Sequence, residues 1–312
     1  MAKTFLTFAI AFLLAGLAVA AALRVWPAQS ARAMISAFVY VSGLAARQAE
    51  TKVGTVHYLE GGKGETVVLL HGIFARKEHW IDMTRQLSGD YHVIALDLPG
   101  FGDNSVLPEG EYAYAEQAQN LMAVLDTLGV ERFHLAANSM GGQIAGLVAT
   151  QFPDRVASVA FIGSPVGVNS PQESKFEAAM RTEQKTLVVD SQEAFEQRNA
   201  LLFPEKPYVP AVIESLWAGQ EIANAPANRR IWKEVNGSDA APLQALAARI
   251  TQPSLIVWCR EDRIFDPSGA AVLAEALPDA ELVWLDQCGH VPMLDQPAGS
   301  GRALRAFLDA QH

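Results

Sequence analysis

The amino-acid sequence predicts an α/β fold in which a mostly parallel sheet is covered by helices on both faces. Short apolar runs recur along the chain, and most of them lack the alternation of apolar and polar residues that marks a half-exposed strand. Helical patterns, such as the one over residues 117–128, separate these runs. Buried strands joined by helices are typical of an open sheet with two covering layers. The runs are residues 53–59, 66–70, 92–96, 133–137, 156–162, 254–258 and 281–285.

Composition excludes several classes of protein. Half of the 312 residues are apolar, which is enough for one large core or two smaller ones. Asp and Glu number 34 against 24 Lys and Arg, and no segment concentrates basic residues, so we predict no nucleic-acid partner. The two cysteines, Cys259 and Cys288, are too few and too far apart in sequence for a zinc site or a disulfide framework. We therefore predict no metal.

The chain begins with an uncharged apolar run over residues 4–23, bounded by Lys3 and Arg24. Twenty helical residues span about 30 Å, the thickness of a bilayer core. Trp26 follows at the position where an interfacial aromatic residue would anchor the helix. These features predict a single-pass transmembrane anchor over residues 1–26.

Two other interpretations of this run stay open. A cleaved signal peptide fits, because Ala18 to Ala20 match the small-x-small cleavage pattern. A buried core helix is the third interpretation, although such a helix would normally carry a polar stripe. Gly16 and Ala20 are small enough for a second helix to approach, which suggests a homodimer through the N-terminal helices.

A second helix is predicted after Pro27, in a juxtamembrane segment over residues 27–50. Met34, Phe38, Val41 and then Leu44 or Ala45 recur at helical spacing, so the helix should continue to about Arg47. Its apolar face would either lie on the membrane surface or pack on the catalytic domain, and the pattern leaves both open. The catalytic domain is predicted over residues 51–168 and 250–312.

A helical cap is predicted between the two parts of this domain, over residues 169–249. This interval contains helix patterns and no convincing strand. One helical face of this segment is apolar and carries Val212, Ile213, Leu216 and Trp217. Packing of the cap on itself accounts for most of this face, and a lining for an acyl chain would be an additional role. An insertion after the carboxyl end of a strand lies over the site that such sheets form there.

A candidate nucleophile, Ser139, lies between a buried strand and a helix in a turn of small residues, Ala137 to Gly142. Small neighbours let the backbone bend sharply and lift the hydroxyl clear of the sheet. A serine that merely caps the helix is the ordinary alternative, and no Lys follows the glycines as a phosphate loop would require.

A base and an acid follow Ser139 in the chain order that this kind of sheet requires. His290 comes directly after the strand 281–285, and Asp262 follows the preceding strand, with Glu261 as its one serious rival. Both loops lie at the carboxyl edge of the sheet with Ser139, so the three side chains should meet.

Two backbone amides should stabilise the oxyanion that forms when the serine attacks. One is the amide of Met140, and for the other Ile73 is chosen over Phe74 in the loop after the strand 66–70. His71 precedes the serine and is predicted to shape that loop, while Asp97 is predicted to stabilise a turn. Four other histidines are predicted to be structural and away from the site: His57, His79, His92 and His134.

Together these motifs resemble the α/β-hydrolase superfamily over roughly residues 53–312. Residues 133–143 and 266–269 are similar to those of membrane-anchored monoacylglycerol lipases and the related bacterial membrane-anchored phospholipases A. The resemblance implies a triad of Ser139, Asp262 and His290, oxyanion donors Ile73 and Met140, and no cofactor. Two positions depart from the family's usual glycines, Ala137 and Cys259, and pairing of Cys259 with Cys288 is left open. The matching motifs are residues 71–72, 97–102, 137–142, 262–264 and 288–290.

The predicted function is a membrane-anchored serine hydrolase that releases fatty acid from a lysophospholipid, monoacylglycerol or phospholipid. Its predicted location is a bacterial inner membrane with the catalytic domain in the periplasm, an orientation that the resemblance implies because the flanking charges are nearly balanced. One alternative is a carbon–carbon bond hydrolase of ring-cleavage products, which uses the same triad. A catalytically inactive binding protein on this fold is the other.

Overall fold

A computed structural model describes residues 2–87, 89–183 and 185–311. The described strands form one eight-stranded sheet in the order β1-β2-β4-β3-β5-β6-β7-β8. All neighbours from β4 to β8 in this order pair in parallel, whereas β2 pairs antiparallel with both β1 and β4. The strands are β1 Leu44–Thr51, β2 Gly54–Gly62, β3 Glu65–Leu70, β4 Tyr91–Leu96, β5 Phe133–Ala137, β6 Val156–Ile162, β7 Ser254–Cys259 and β8 Ala280–Leu285.

Helices cover both faces of this sheet, and the predicted fold class is confirmed. The α-helices are α1 Ala2–Val25, α2 Pro27–Val41, α3 Ile81–Thr84, α4 Tyr114–Thr127, α5 Met140–Gln151, α6 Lys175–Glu183, α7 Gln192–Leu202, α8 Ala211–Ala223, α9 Ala225–Asn236, α10 Leu243–Leu246, α11 Gly269–Ala276, α12 Pro292–Asp295 and α13 Pro297–Asp309. Short 3-10 helices cover Lys77–Trp80 and Ala247–Arg249.

Two apolar cores flank the sheet, and strand β3 contributes to both. Val68 and Leu70 point into one core, and Val67 and Leu69 point into the other. All four side chains are fully buried, and each stabilises the fold by roughly 1.5–3 kcal/mol relative to an exposed position. This burial on both faces explains why the run is apolar without alternation.

The predicted continuation of the second helix to Arg47 is wrong, because α2 ends at Val41. Gly43 adopts a left-handed conformation with φ of 76°, which ends the helix. Residues Leu44 to Thr51 then form β1, which pairs with β2 along its whole length. The strand lies at the sheet edge with half of its residues exposed, and its sequence has no apolar alternation to indicate it.

The N-terminal helices α1 and α2 meet at Trp26, and Pro27 occupies the first turn of α2. Among the described residues, no single helix is long and apolar enough to cross a membrane. The pair Ile10–Val25 and Pro27–Val41, bent by 118°, has that length and composition only when taken together. The anchor over residues 1–26 stays a prediction.

Helix α2 has two kinds of surface. Its buried residues Ala31 and Val39 lie on the side that packs against α8 and β1. Phe38, Tyr40 and Val41 are exposed. The helix therefore packs on the rest of the protein and still leaves an apolar surface free.

Helices α6 to α9 lie between β6 and β7, where the described residues contain no strand, as predicted. Phe195 of α7 and Ala218 of α8 belong to one small core of their own. Part of α8 is thus used for packing within this segment. The boundaries of the cap and of the catalytic domain stay predictions.

Candidate active site

Ser139 lies at the sharp turn between β5 and α5. Its backbone has φ of 53° and ψ of −116°, a conformation that costs a residue with a side chain about 1–3 kcal/mol. The side chain makes no capping hydrogen bond to α5 within the described chain, which removes the ordinary explanation for a serine here. Strain held at a serine, with no capping role, is typical of an exposed nucleophile.

Glycine at position 141 lets the first turn of α5 approach strand β3. A Cβ atom on Gly141 would lie 2.7 Å from the carbonyl oxygen of His71 and 2.8 Å from that of Leu70. Both oxygens belong to the backbone and cannot move aside. The turn therefore needs a residue without a side chain there, and it places Ser139 directly beside the loop that follows β3.

His290 and Asp262 form a buried pair at the carboxyl edge of the sheet. His290 Nδ1 lies 3.1 Å from Asp262 Oδ2, and both residues are at most 6% exposed. Asp262 also accepts hydrogen bonds from the backbone amides of Ile264 and Phe265, which fix its carboxylate. Glu261, the rival acid, is exposed, so the structure places Asp262 at the histidine.

A second serine, Ser164, joins this pair. Its hydroxyl donates to Asp262 Oδ2 at 2.5 Å and lies 2.8 Å from His290 Nδ1. The Ser164 hydroxyl donates its only proton to the carboxylate of Asp262. His290 Nδ1 is therefore assigned a proton of its own, which it donates to these oxygen atoms. In the neutral imidazole this tautomer leaves Nε2 as the unprotonated nitrogen, which a base requires.

Sequence reasoning missed Ser164. The signal that could have found it is its position, since it follows β6 by two residues and so lies at the same sheet edge as the other site residues. It is fully buried and does not line the cavity that Ser139 and His290 share. Ser164 therefore positions the histidine and acid without access to substrate.

Hydrogen bonds to the backbone tie the turn of Ser139 to the loop of His290. The Asn138 side-chain amide donates to the carbonyl oxygens of Ile162, at 2.8 Å, and His290, at 3.0 Å. The His290 amide donates to the carbonyl oxygen of Leu202, at the end of α7. Sequence reasoning did not find these contacts, which join residues far apart in the chain.

A disulfide joins Cys259 to Cys288, with Cα atoms 5.4 Å apart. Cys259 is the last residue of β7 and lies three residues before Asp262, and Cys288 lies two residues before His290. The bond thus links the two loops that carry the acid and the base. Asp295 lies beside both sulfur atoms, but a disulfide offers no thiolate to a metal ion.

Asp295 supports the same loop from α12. Its Oδ2 accepts a hydrogen bond from the Gly289 amide at 2.7 Å, while Oδ1 is buried without a partner among the described residues. Burial, with a smaller contribution from the charge of Asp262, raises the pKa of Asp295 to about 7. The carboxyl group is therefore poised to change charge near neutral pH.

The predicted oxyanion donors are Met140, the residue directly after Ser139, and Ile73, in the loop after β3. Met140 begins α5, so its amide has no partner within the helix. Ile73 lies in the loop after β3 and lines the same cavity as Ser139. Among the described residues neither amide donates a hydrogen bond to the backbone, and the same holds for Phe74. The choice of Ile73 over Phe74 stays a prediction.

The structure shows His71 and Asp97 in supporting positions. The Leu98 amide donates to His71 Nε2 at 3.0 Å, and Nδ1 lies 2.7 Å from the Gly72 carbonyl oxygen. Burial lowers the pKa of His71 to about 4, so the ring is neutral and bridges the two loops. Asp97 accepts from the amide and ammonium groups of Lys77 and holds the turn that follows β4.

Ser139 and His290 open onto one cavity whose lining is mostly apolar. Helices α7 and α8 form much of its wall, with Phe195, Leu202 and Trp217 among the lining residues. His79 also lines this cavity, which contradicts the prediction that it lies away from the site. An apolar cavity over a serine and a histidine fits a substrate with a hydrocarbon chain.

A strained serine at a strand–helix turn, with a buried histidine–acid pair at the same sheet edge, defines a serine hydrolase on an α/β sheet. A family profile described as the alpha/beta hydrolase fold matches residues 65–297. The chain belongs to this family, and it is a hydrolase of carboxylic esters.

Known proteins similar to this chain include lipases and a phospholipase. Lipase 1 of Psychrobacter immobilis is 30% identical over 260 residues, which cover 81% of each chain. A monoacylglycerol lipase of Xenopus laevis, abhd6-A, is 27% identical over 259 residues, which cover 80% of this chain and 77% of the relative. The crystal structure of a membrane phospholipase A, described as a bacterial virulence factor, superposes with a TM-score of 0.88 at 32% identity. That match covers 100% of this chain and 99% of the other.

Proposed function

We propose that this protein releases fatty acid from glycerolipids at a membrane surface, with Ser139, His290 and Asp262 as its triad. The observation that carries the proposal is the buried His290–Asp262 pair, whose histidine lines one mostly apolar cavity together with the strained Ser139. The similarity to lipases and to a membrane phospholipase A supports a lipid ester as substrate. Lysophospholipid, monoacylglycerol and phospholipid are the candidate classes.

In this mechanism, His290 Nε2 takes the proton of Ser139 as the hydroxyl oxygen attacks the acyl carbonyl carbon. The amides of Ile73 and Met140 donate to the resulting oxyanion. The protonated imidazole then gives its proton to the leaving glycerol oxygen, and its positive charge is stabilised by Asp262. Water, activated by the same histidine, hydrolyses the acyl-enzyme and releases the fatty acid.

A membrane location with a periplasmic catalytic domain is part of the proposal. The apolar residues 4–23 and the exposed Phe38, Tyr40 and Val41 on α2 would meet the bilayer. The disulfide between Cys259 and Cys288 supports an oxidising compartment, because cytosolic proteins rarely keep disulfides. A homodimer through the N-terminal helices is proposed on the small residue Gly16, whose Cβ position has no atom within 4 Å.

The test compares two serines of the same site. In Ser139→Ala, kcat on a monoacylglycerol should fall about 10⁴- to 10⁶-fold, and labelling by a fluorophosphonate probe should disappear. The matched variant, Ser164→Ala, should keep the label because it retains the nucleophile. If labelling persists in Ser139→Ala and is lost in Ser164→Ala, the nucleophile is Ser164 and the proposed triad is wrong.

The substrate class is tested on a panel of lysophospholipids, monoacylglycerols, phospholipids and p-nitrophenyl esters of graded chain length. We expect lipid esters to be hydrolysed faster than short-chain esters, since the cavity is apolar and enclosed by α7 and α8. Faster cleavage of a conjugated ring-cleavage diketone than of every ester would favour the carbon–carbon bond hydrolase instead.

A further inference from the structure

Arg76 lies where three cavities meet. It lines the active cavity together with Ser139 and His290. It also lines a groove between α2 and the body of the protein, and a smaller cavity beside Phe101. A single arginine side chain thus borders the active cavity and the groove beneath the proposed membrane-facing helix.

Arg76 differs from the other arginine and lysine residues that line the active cavity. Arg198 is paired with Glu221, and Lys206 is paired with Glu214. Arg76 forms no ion pair with any residue that the structure describes, and its guanidinium carbon lies 5.4 Å from the centroid of the Trp217 ring. Contact with an aromatic face orients a guanidinium and leaves its in-plane N–H groups free to donate.

Four basic residues line the groove beneath α2, and two of them, Arg32 and Arg76, form no ion pair with any residue that the structure describes. Lys77 is paired with both acidic residues of the lining, Glu78 and Asp103, and Arg47 is paired with Glu60. The basic residues that line it are Arg32, Arg47, Arg76 and Lys77. An anionic group that enters from the side of α2 would therefore be attracted along the groove toward Arg76.

We propose that Arg76 binds the phosphate of a phospholipid or lysophospholipid headgroup while the scissile ester lies at Ser139. This inference rests on the proposed function and narrows its substrate class. Arg76 follows Ile73, a proposed oxyanion donor, by three residues, so their Cα atoms are at most about 10 Å apart. A glycerol backbone separates the ester from the phosphate by a short distance, which an arginine side chain on this loop can cover.

The chemistry of the guanidinium explains why a phosphate would be selected. Its planar fork donates two parallel hydrogen bonds to two phosphate oxygens, and each bond is strengthened by charge. The free glycerol hydroxyl groups of a monoacylglycerol carry no charge and cannot reproduce this pair. Arg76 should therefore discriminate between two lipids that share the same acyl chain.

The experiment measures kcat and KM of the full chain on lysophosphatidylglycerol and on a monoacylglycerol with the same acyl group, in matched mixed micelles. Arg76→Gln should lower kcat/KM on the lysophospholipid about 10- to 100-fold, chiefly through KM, and leave the monoacylglycerol within threefold. Arg76→Lys, which keeps the charge and loses the fork, should fall between wild type and Arg76→Gln. Arg302→Gln, an exposed change on α13 that also removes one positive charge, should leave both substrates unchanged.

The other outcomes distinguish a failure of this inference from a failure of the proposed function. If the wild type cleaves both lipids and Arg76→Gln keeps their ratio, the inference is wrong and the proposed function stands. If the ratio is kept while inhibition by inorganic phosphate is lost, Arg76 binds free phosphate and no headgroup. If the wild type cleaves p-nitrophenyl esters and neither lipid, the proposed function fails and this inference fails with it.

Discussion

At the scale of single residues, contacts converge on His290. Ser164 and Asp262 hold its Nδ1, and the ring of Phe265 packs edge-on at 5.7 Å between centroids. Asn138 and Leu202 bind its backbone. The imidazole is therefore fixed from several sides beside the cavity that Ser139 and His290 both line.

Asp295 gives this loop a measurable dependence on pH. In the folded protein the pKa of its carboxyl is about 7, against an ordinary value of 3.8. Between these values the folded protein binds a proton that the unfolded chain releases, so stability falls as the pH rises through this window. Asp295→Asn cannot ionise, and its amide oxygen can still accept from Gly289.

We therefore expect the difference in Tm between Asp295→Asn and wild type to grow from about pH 4 to pH 7 in favour of the variant. Thermal unfolding across this range measures it. The surface variant Asp154→Asn is the matched control and should follow the wild-type curve. Parallel curves for Asp295→Asn and wild type would show that the carboxyl titrates normally.

At the scale of elements, β1 connects the N-terminal helices to the sheet. It follows α2 after a two-residue turn and covers the outer edge of β2 by antiparallel pairing from Leu44↔Gly61 to Thr51↔Gly54. Uncovered sheet edges tend to pair with other chains. The strand therefore belongs to the folded body of the enzyme, although it lies close in sequence to the proposed membrane segment.

Two truncations distinguish the role of β1 in the fold from the proposed membrane role of the N-terminal helices. A chain that starts at Ser42 keeps β1 and should be soluble and active on a short-chain p-nitrophenyl ester, with reduced rate on bilayer lipid. A chain that starts at Thr51 loses β1 and should show a lower Tm and aggregation. Equal Tm values for the two truncations would mean that β1 adds little to the fold.

The full-length protein should sediment with membranes. Recovery in the soluble fraction with Ala21 as its first residue would identify a signal peptide.

The elements that sequence predicts well are those whose residues are buried on both faces. The bounds of β5 and β6 match the apolar runs 133–137 and 156–162 residue for residue. Strand β1 lies at an edge with half of its residues exposed and no apolar alternation, so only its turns could have indicated it. Local motifs mark Ser139, Asp262 and His290 as candidates, and their catalytic roles stay predictions. Ser164 contacts the His290 ring and Asn138 contacts the His290 backbone, and each lies more than 100 residues from His290 in the chain. A local sequence pattern does not encode such contacts.

At the scale of the whole molecule, the site is assembled from parts that are distant in the chain. The turn of Ser139 comes from the middle of the sheet, the loops of Asp262 and His290 follow its last two strands, and the cavity wall comes from α7 and α8. The acid and base loops are further linked by the disulfide between Cys259 and Cys288. Their alignment therefore depends on one covalent bond as well as on packing.

Loss of this bond should affect stability and turnover together. The cysteines are 29 residues apart, and a loop of that size closed by a disulfide is worth about 3–4 kcal/mol in the chain-entropy account. Cys259→Ser with Cys288→Ser should lower Tm and reduce kcat, with binding of the substrate less affected. Denaturant unfolding and steady-state kinetics measure the two effects. Unchanged kcat in the double variant would show that packing alone aligns Asp262 and His290.

The same bond affects the stage at which a newly made enzyme molecule becomes mature. A newly made chain in a reducing cytosol would carry free thiols at Cys259 and Cys288, and its acid and base loops would be unlinked. If the catalytic domain is exported as proposed, oxidation after export would complete the alignment. The cell would then be spared the action of a lipid-degrading enzyme on its inner leaflet during synthesis. Maturation of the protein would coincide with its arrival at the correct side of the membrane.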